Sequence, residues 1–237
     1  MSGALLSVEG LSVAYGHIRA LEAVTLHVRP HTISLLAGAN GAGKSSLLRA
    51  CSGLVAPSAG EIRFRGTSIA RWPAHRIAAL GIQHVPEGRR IWPTLTVHEH
   101  LQLAWHRVAR PRRRELEEEI VTLFPRLKER WRQDAAHMSG GEQQMLAIAR
   151  GLAADPALLF IDELSLGLAP VVVSQLFTAL RAVHARGVTL VLVEQALHQA
   201  LAYADYGFVL ANGRLVVEGV PEALREDPTV RKAYLSV

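Results

Sequence analysis

Apolar positions along the chain fall into two kinds of run. "TISLLAG" (32–38), "ALLFIDE" (157–163) and "GVTLVLVE" (187–194) are short and almost unbroken, as expected for strands buried on both faces. Between the last two lies "PVVVSQLFTALRAVHARG" (170–187), which reads as a helix. Such alternation predicts a largely parallel sheet covered by helices. "LLSVEGLSVAYG" (5–16), "VTLHV" (24–28), "EIRFRG" (61–66) and "GIQHVPEG" (81–88) read as further strands, the last ended by proline and glycine. A helix is predicted from Lys44 to about Ser52.

From Thr96 to Gly151 the pattern is helical throughout. It opens on "TVHEHLQLAWHRV" (96–108), where Thr96 and Glu99 have capping-box spacing. The middle therefore reads as a helical insertion, residues 88–152, in an α/β core made of 1–87 and 153–237. No internal repeat, low-complexity tract or Gly/Ser linker divides the 237 residues.

Composition narrows the class. With 49% hydrophobic and 20% charged residues the chain is globular, and no run reaches the roughly 18 to 20 apolar residues of a membrane span. "MSGALLSVEG" has neither the basic segment nor the apolar core of a signal peptide, so a cytoplasmic protein is expected. Cys51, the single cysteine, excludes an internal disulfide and fits a reducing compartment. A net charge of +5 invites a nucleic-acid reading. Much of the excess, however, sits in "HRVARPRRRELEEE" (106–119), where Arg112, Arg113 and Arg114 are followed at once by glutamates. Mixed charge of that kind marks a solvated helical face, and no nucleic-acid partner is expected. An attraction to anionic lipid head groups stays open.

"GANGAGKSS" (38–46) carries the first chemistry, G-x-x-x-x-G-K-[ST] between an apolar strand and a helix. Gly38, Ala39, Asn40, Gly41, Ala42 and Gly43 form a loop whose backbone N–H groups wrap phosphate oxygens, helped by the helix N-terminus. Lys44 is expected to reach the β- and γ-phosphates, Ser45 to ligate Mg²⁺, and Ser46 completes the loop. "ALLFIDE" then presents Asp162 to the Mg²⁺ shell and Glu163 to the attacking water as general base.

A second loop, "MSGGEQQMLAIAR" (138–150), puts a serine and two glycines before a helix but offers no lysine. Taken in order with the phosphate loop and the acidic strand end, it resembles the signature loop of the ATP-binding cassette family. That resemblance implies a P-loop NTPase (RecA-like) core with an antiparallel β subdomain and an inserted α-helical subdomain. It implies ATP and Mg²⁺ as cofactors and a head-to-tail pair of cassettes. Ser139, Gly140, Gly141 and Glu142 would then cap the γ-phosphate of ATP held by the partner cassette. Tyr15, in "VAYG", matches the aromatic that stacks on adenine. "VPEGRRIWPTLTVHEHL" (85–101) matches the segment that touches the membrane partner, with Glu87 where glutamine is common.

Other positions depart from the family pattern. Leu164 and Ala169 replace proline and aspartate, and Gln195 stands where a histidine usually senses the γ-phosphate; His198 comes three residues too late to replace it. "VPEGRR", "ELSLGLAP", "VEQ" and the ending "VRKAYLSV" together look like the shorter ATP-binding subunit of branched-chain amino acid importers. Related short cassettes serve urea and amide importers. The implied partners are a second cassette, transmembrane permease subunits and, indirectly, a solute-binding protein. The implied place is the cytoplasmic face of the cell membrane. DNA- or ribosome-acting cassettes are disfavoured by the single cassette, the single cysteine and the lack of sustained heptads. A regulatory ATP-binding module without turnover remains an alternative, kept alive by Ala169 and Gln195.

Overall fold

The computed structural model describes residues 3–195 and 197–230, apart from the side chains of residues 198 and 199. The ending "VRKAYLSV" from residue 231 on and the His198 side chain therefore lie outside the described residues. The chain opens with β1 (Leu6–Tyr15) and β2 (Ile18–Val28), an antiparallel hairpin. β3 (Ile33–Ala37), buried throughout, leads through the glycine loop into α1 (Lys44–Cys51). β4 (Ala59–Phe64) and β5 (Thr67–Ser68) return to the hairpin and complete an antiparallel sheet ordered β2-β1-β4-β5. Next come α2 (Ala74–Ala79) and β6 (Ile82–Val85). Between Val85 and Leu158 every described α or β element is a helix: α3 (Val97–Ala104), α4 (Arg110–Leu123), α5 (Pro125–Glu129) and α6 (Gly140–Leu152).

The core then resumes with β7 (Leu158–Asp162), α7 (Pro170–Ala185), β8 (Thr189–Glu194) and α8 (Leu197–Ala200). β9 (Tyr206–Ala211), β10 (Arg214–Gly219) and α9 (Pro221–Glu226) follow. The main sheet runs β10-β9-β3-β8-β7-β6, with every pairing parallel except β9 with β10. No helix among the described residues is long and apolar enough to cross a membrane.

Period-two side-chain direction lets each central strand feed two cores. Leu190 and Leu192 of β8 join the core under the helices, whereas Val191 and Val193 face the antiparallel sheet and α1. β7 does the same with Leu159 and Ile161 against Leu158 and Phe160. Both faces are covered, which is why these strands read as unbroken apolar runs.

Two features differ from the pattern reading. β2 starts at Ile18 rather than Val24, because Tyr15 pairs with Ile18 across a tight turn. Register shifts between Val8 and Ala14 break the alternation that would have revealed it. The β9–β10 hairpin turns at Asn212 and Gly213, both at positive φ (49° and 75°), where an Asn-Gly pair is suited to a primed turn. The basic run behaves as expected: Arg112 on α4 pairs with Glu115, Glu119 and Asp155.

Candidate active site

Parallel strands β3, β6, β7 and β8 end at one edge of the sheet, and the loops leaving those ends carry the chemistry. Backbone crowding forces the glycines of the first loop. A Cβ at Gly38 would stand 2.3 Å from the Leu210 carbonyl oxygen, and one at Gly43 2.6 Å from that of Ala20. Both glycines, like Gly41, also sit at positive φ. α1 starts at Lys44 with no side chain capping it, so its first N–H groups face the loop. Lys44 is buried, and its Nζ donates to the carbonyls of Gly38 (2.8 Å) and Ala39 (2.9 Å). Burial lowers its pKa, while Glu163, Asp162, Glu194 and Glu87 pull the other way. A buried ammonium among carboxylates is held ready for a polyanion.

The cleft over this loop has a volume of about 480 Å³ and is walled by the loop itself, Glu87, Glu163, Leu166 and Gln195. Ser45 hydrogen-bonds the carboxylate of Asp162, whose Oδ1 is buried with no partner. Burial raises the Asp162 pKa. An orphaned carboxylate oxygen beside a hydroxyl is a fit for a hard divalent cation. Among the described residues there is no set of three or more His, Cys, Asp or Glu that holds a metal unaided. Such a cation would complete its shell with phosphate and water oxygens.

Glu163 occupies the left-handed region (φ 53°), uncommon for a residue with a Cβ. Its amide donates to Val193 O (3.1 Å), and its Oε1 accepts from Gln195 Nε2 at 2.7 Å. Gln195, expected to read a phosphate, thus touches the carboxylate of Glu163. Sequence reading gave no role to Glu194, although a carboxylate closing the apolar strand "TLVLVE" was a visible anomaly. It is buried and accepts from Ser165 N (2.8 Å) and Ser165 Oγ (2.7 Å).

The second loop is a reciprocal helix cap. Ser139 Oγ accepts from Glu142 N (3.3 Å), and Glu142 Oε2 accepts from Ser139 N (2.8 Å). Glu142 also meets Arg130 at 3.3 Å. Gly140 lies under Arg89, whose Nη2 would be 3.1 Å from an added Cβ, and Gly141 under Val172. Arg89 is in turn bonded to Gln143 (3.0 Å). Ser139, Gly140, Gly141 and Glu142 are absent from the wall of the cleft, so the second loop does not line the cleft over the first within one chain; Tyr15 does not line it either. Tyr15 is 40% exposed at the end of β1.

Residues 21–165 match the sequence model described as ABC transporter. The chain belongs to the ABC transporter family. It is 45% identical to the high-affinity branched-chain amino acid transport ATP-binding protein BraG of Pseudomonas aeruginosa, over 98% of this chain and 99% of that one. It is 30% identical to BraF of the same organism, over 99% of both chains. A solved ATP-binding subunit of an ABC transporter superposes with a TM-score of 0.83 at 31% identity, covering 98% of this chain and 96% of that one. A cassette in its ADP conformation gives 0.85 at 24% identity over 99% of both, which speaks for the fold alone. The α/β cassette expected from the sequence is thus the observed fold. As a cassette of this family the chain binds ATP and couples its hydrolysis to transport.

Proposed function

We propose that the chain is the ATP-hydrolysing subunit of an importer for branched-chain amino acids, seated on the cytoplasmic face of the cell membrane. The 45% identity to BraG carries the solute assignment. At 30% the relatives already include LptB of Haemophilus influenzae, named for lipopolysaccharide export, so likeness at that level does not choose a solute. BraG and BraF are two different proteins of one organism, each named for the same transport. By that parallel the second cassette here is a different chain, and a solute-binding protein delivers the amino acid from outside.

Residues 1–87 and 153–237 act as the nucleotide core, with 88–152 as the helical subdomain that carries the signature loop. ATP lies on the loop 38–46, with Tyr15 against adenine and Lys44 moving from the Gly38 and Ala39 carbonyls to the β- and γ-phosphates. Ser45 and Asp162 would hold Mg²⁺, with Glu87 nearby, and the ion when bound would supply charge neutralisation at the phosphates. Glu163 orients a water in line with the γ-phosphate and takes its proton, while Gln195 donates to the same carboxylate. From the partner cassette, Ser139, Gly140, Gly141 and Glu142 close the site and exclude bulk water. Positioning and charge supply most of the acceleration.

Uptake of labelled leucine by cells of the source organism tests this reading. Replacing the chain with its Lys44→Ala variant is expected to abolish uptake of leucine, isoleucine and valine while leaving urea uptake intact. Undiminished leucine uptake refutes the assignment.

A further inference from the structure

Glu163 is the least comfortable residue of the cleft, a branched-free but Cβ-bearing side chain in left-handed backbone. Such a conformation costs on the order of 1 to 3 kcal/mol and persists only where the surroundings over-determine it. Here the restraints come from one place, three successive residues at the end of β8. Val193 accepts from the Glu163 amide, Glu194 accepts twice from Ser165, and Gln195 donates to the Glu163 carboxylate. The turn is pinned on both sides of the strained residue. Between the pins Leu164 is fully buried, and beyond them Leu166 emerges, 56% exposed, into the phosphate cleft.

The middle pin is the unusual one. Burying a carboxylate is costly unless it is hydrogen-bonded, and Glu194 is almost completely buried beside two other acids, Asp162 and Glu163. A carboxylate is an acceptor only, so it can bind both Ser165 donors, and the Gln195 amide as well, without competing as a donor. We infer that Glu194 is a positioning residue for hydrolysis: by gripping Ser165 it holds the turn that aims Glu163 at the γ-phosphate. Buried at the end of β8, it acts through Ser165. This role presupposes Glu163 as the base proposed above.

A displaced base leaves ATP bound but slow to react, since misplacement by about 1 Å can cost on the order of 100-fold in rate. The test is single-turnover hydrolysis of Mg²⁺-ATP by the full-length chain, alone and with the neighbouring cassette, with ATP affinity and thermal midpoint measured in parallel. Glu194→Ala is expected to slow hydrolysis by roughly 10- to 100-fold with less than a twofold change in affinity. Glu194→Gln keeps an acceptor for the Ser165 amide and is expected to recover to within about threefold of the parent, consistent with the modest net worth of one hydrogen bond. Ser165→Ala deletes only the hydroxyl contact and should fall between them, which keeps the test sharp if Glu194→Ala fails to fold. A parent-like rate in both Glu194→Ala and Ser165→Ala overturns the inference. So does a loss of rate matched by an equal loss of affinity or by unfolding, which marks a structural role alone. Glu163→Gln runs beside them: hydrolysis that survives it overturns the base assignment itself, a separate failure.

Discussion

The proposed phosphate loop depends on one side chain. Lys44 spends its charge on two backbone carbonyls in the structure, 2.8 and 2.9 Å away, and no carboxylate bonds it directly among the contacts that fix its Nζ. A nucleotide's phosphates offer a stronger partner than either carbonyl, because both donor and acceptor are then charged. Lys44→Ala is therefore expected to weaken ATP binding by at least about 100-fold, in line with roughly 3 kcal/mol for a buried charge-assisted contact. Calorimetric titration with ATP checks it, and near-parental affinity would show that the loop is not a nucleotide site. The loop and its place between β3 and α1 were legible in the sequence, because glycine, lysine and serine at fixed spacing are read locally. The bonds between Gln195 and Glu163 and between Glu194 and Ser165 were not. They join residues 32 and 29 positions apart, and only the parallel pairing of β7 with β8 makes them neighbours.

Elements were legible where their pattern was regular and lost where it was broken. The unbroken apolar strands and the capping box at Thr96 and Glu99 stand where expected. The start of β2 vanished behind register shifts. Histidines add an element-scale effect that no pattern shows. His100 of α3 is fully buried; its Nε2 accepts from Trp92 N (3.0 Å), leaving the proton on Nδ1, which donates to Thr96 O (2.8 Å). His84 of β6 has no partner at either ring nitrogen and packs edge-on to Phe160. Burial lowers both pKa values, that of His84 from 6.5 to about 4, with Arg49 adding to the shift. Protons therefore bind the unfolded chain first. The stabilisation is complete above the unfolded value near 6.5 and drains away as pH falls towards 4. Asp162 and Glu194, raised by burial, titrate in the opposite sense, so a His84 variant reports its share better than the total does. Between pH 7.5 and 5.0 the parent is expected to lose about 2 kcal/mol more stability than His84→Leu. Denaturant melts at the two pH values decide it, and identical pH dependence in both proteins would sink the claim.

At the scale of the whole molecule the proposed site needs a second cassette to complete it. The cleft over the glycine loop is walled without Ser139, Gly140 or Gly141; those residues stand at the positive end of α6, where Ser139 is exposed and caps the helix. Capping and anion binding draw on the same groups, so the cap seen here does not exclude a phosphate supplied by a partner. Glu163→Gln keeps size and hydrogen bonding but removes the base, so ATP is expected to bind and persist. The retained γ-phosphate then bridges Lys44 of one cassette and Ser139 of its partner, and a closed dimer accumulates. Ser139→Arg on that background puts a long side chain at the exposed start of α6, where the partner's phosphate is proposed to dock, and is expected to abolish the dimer while the monomer still binds ATP. Because the partner is proposed to be a different chain, sizing chromatography in Mg²⁺-free ATP is run on this chain alone and with the neighbouring cassette. The expected result is at least about a tenfold drop in dimer fraction on adding Ser139→Arg, as for loss of roughly 1.4 kcal/mol or more. Equal dimer in both variants, with either partner, would mean that Ser139, Gly140 and Gly141 only cap a helix.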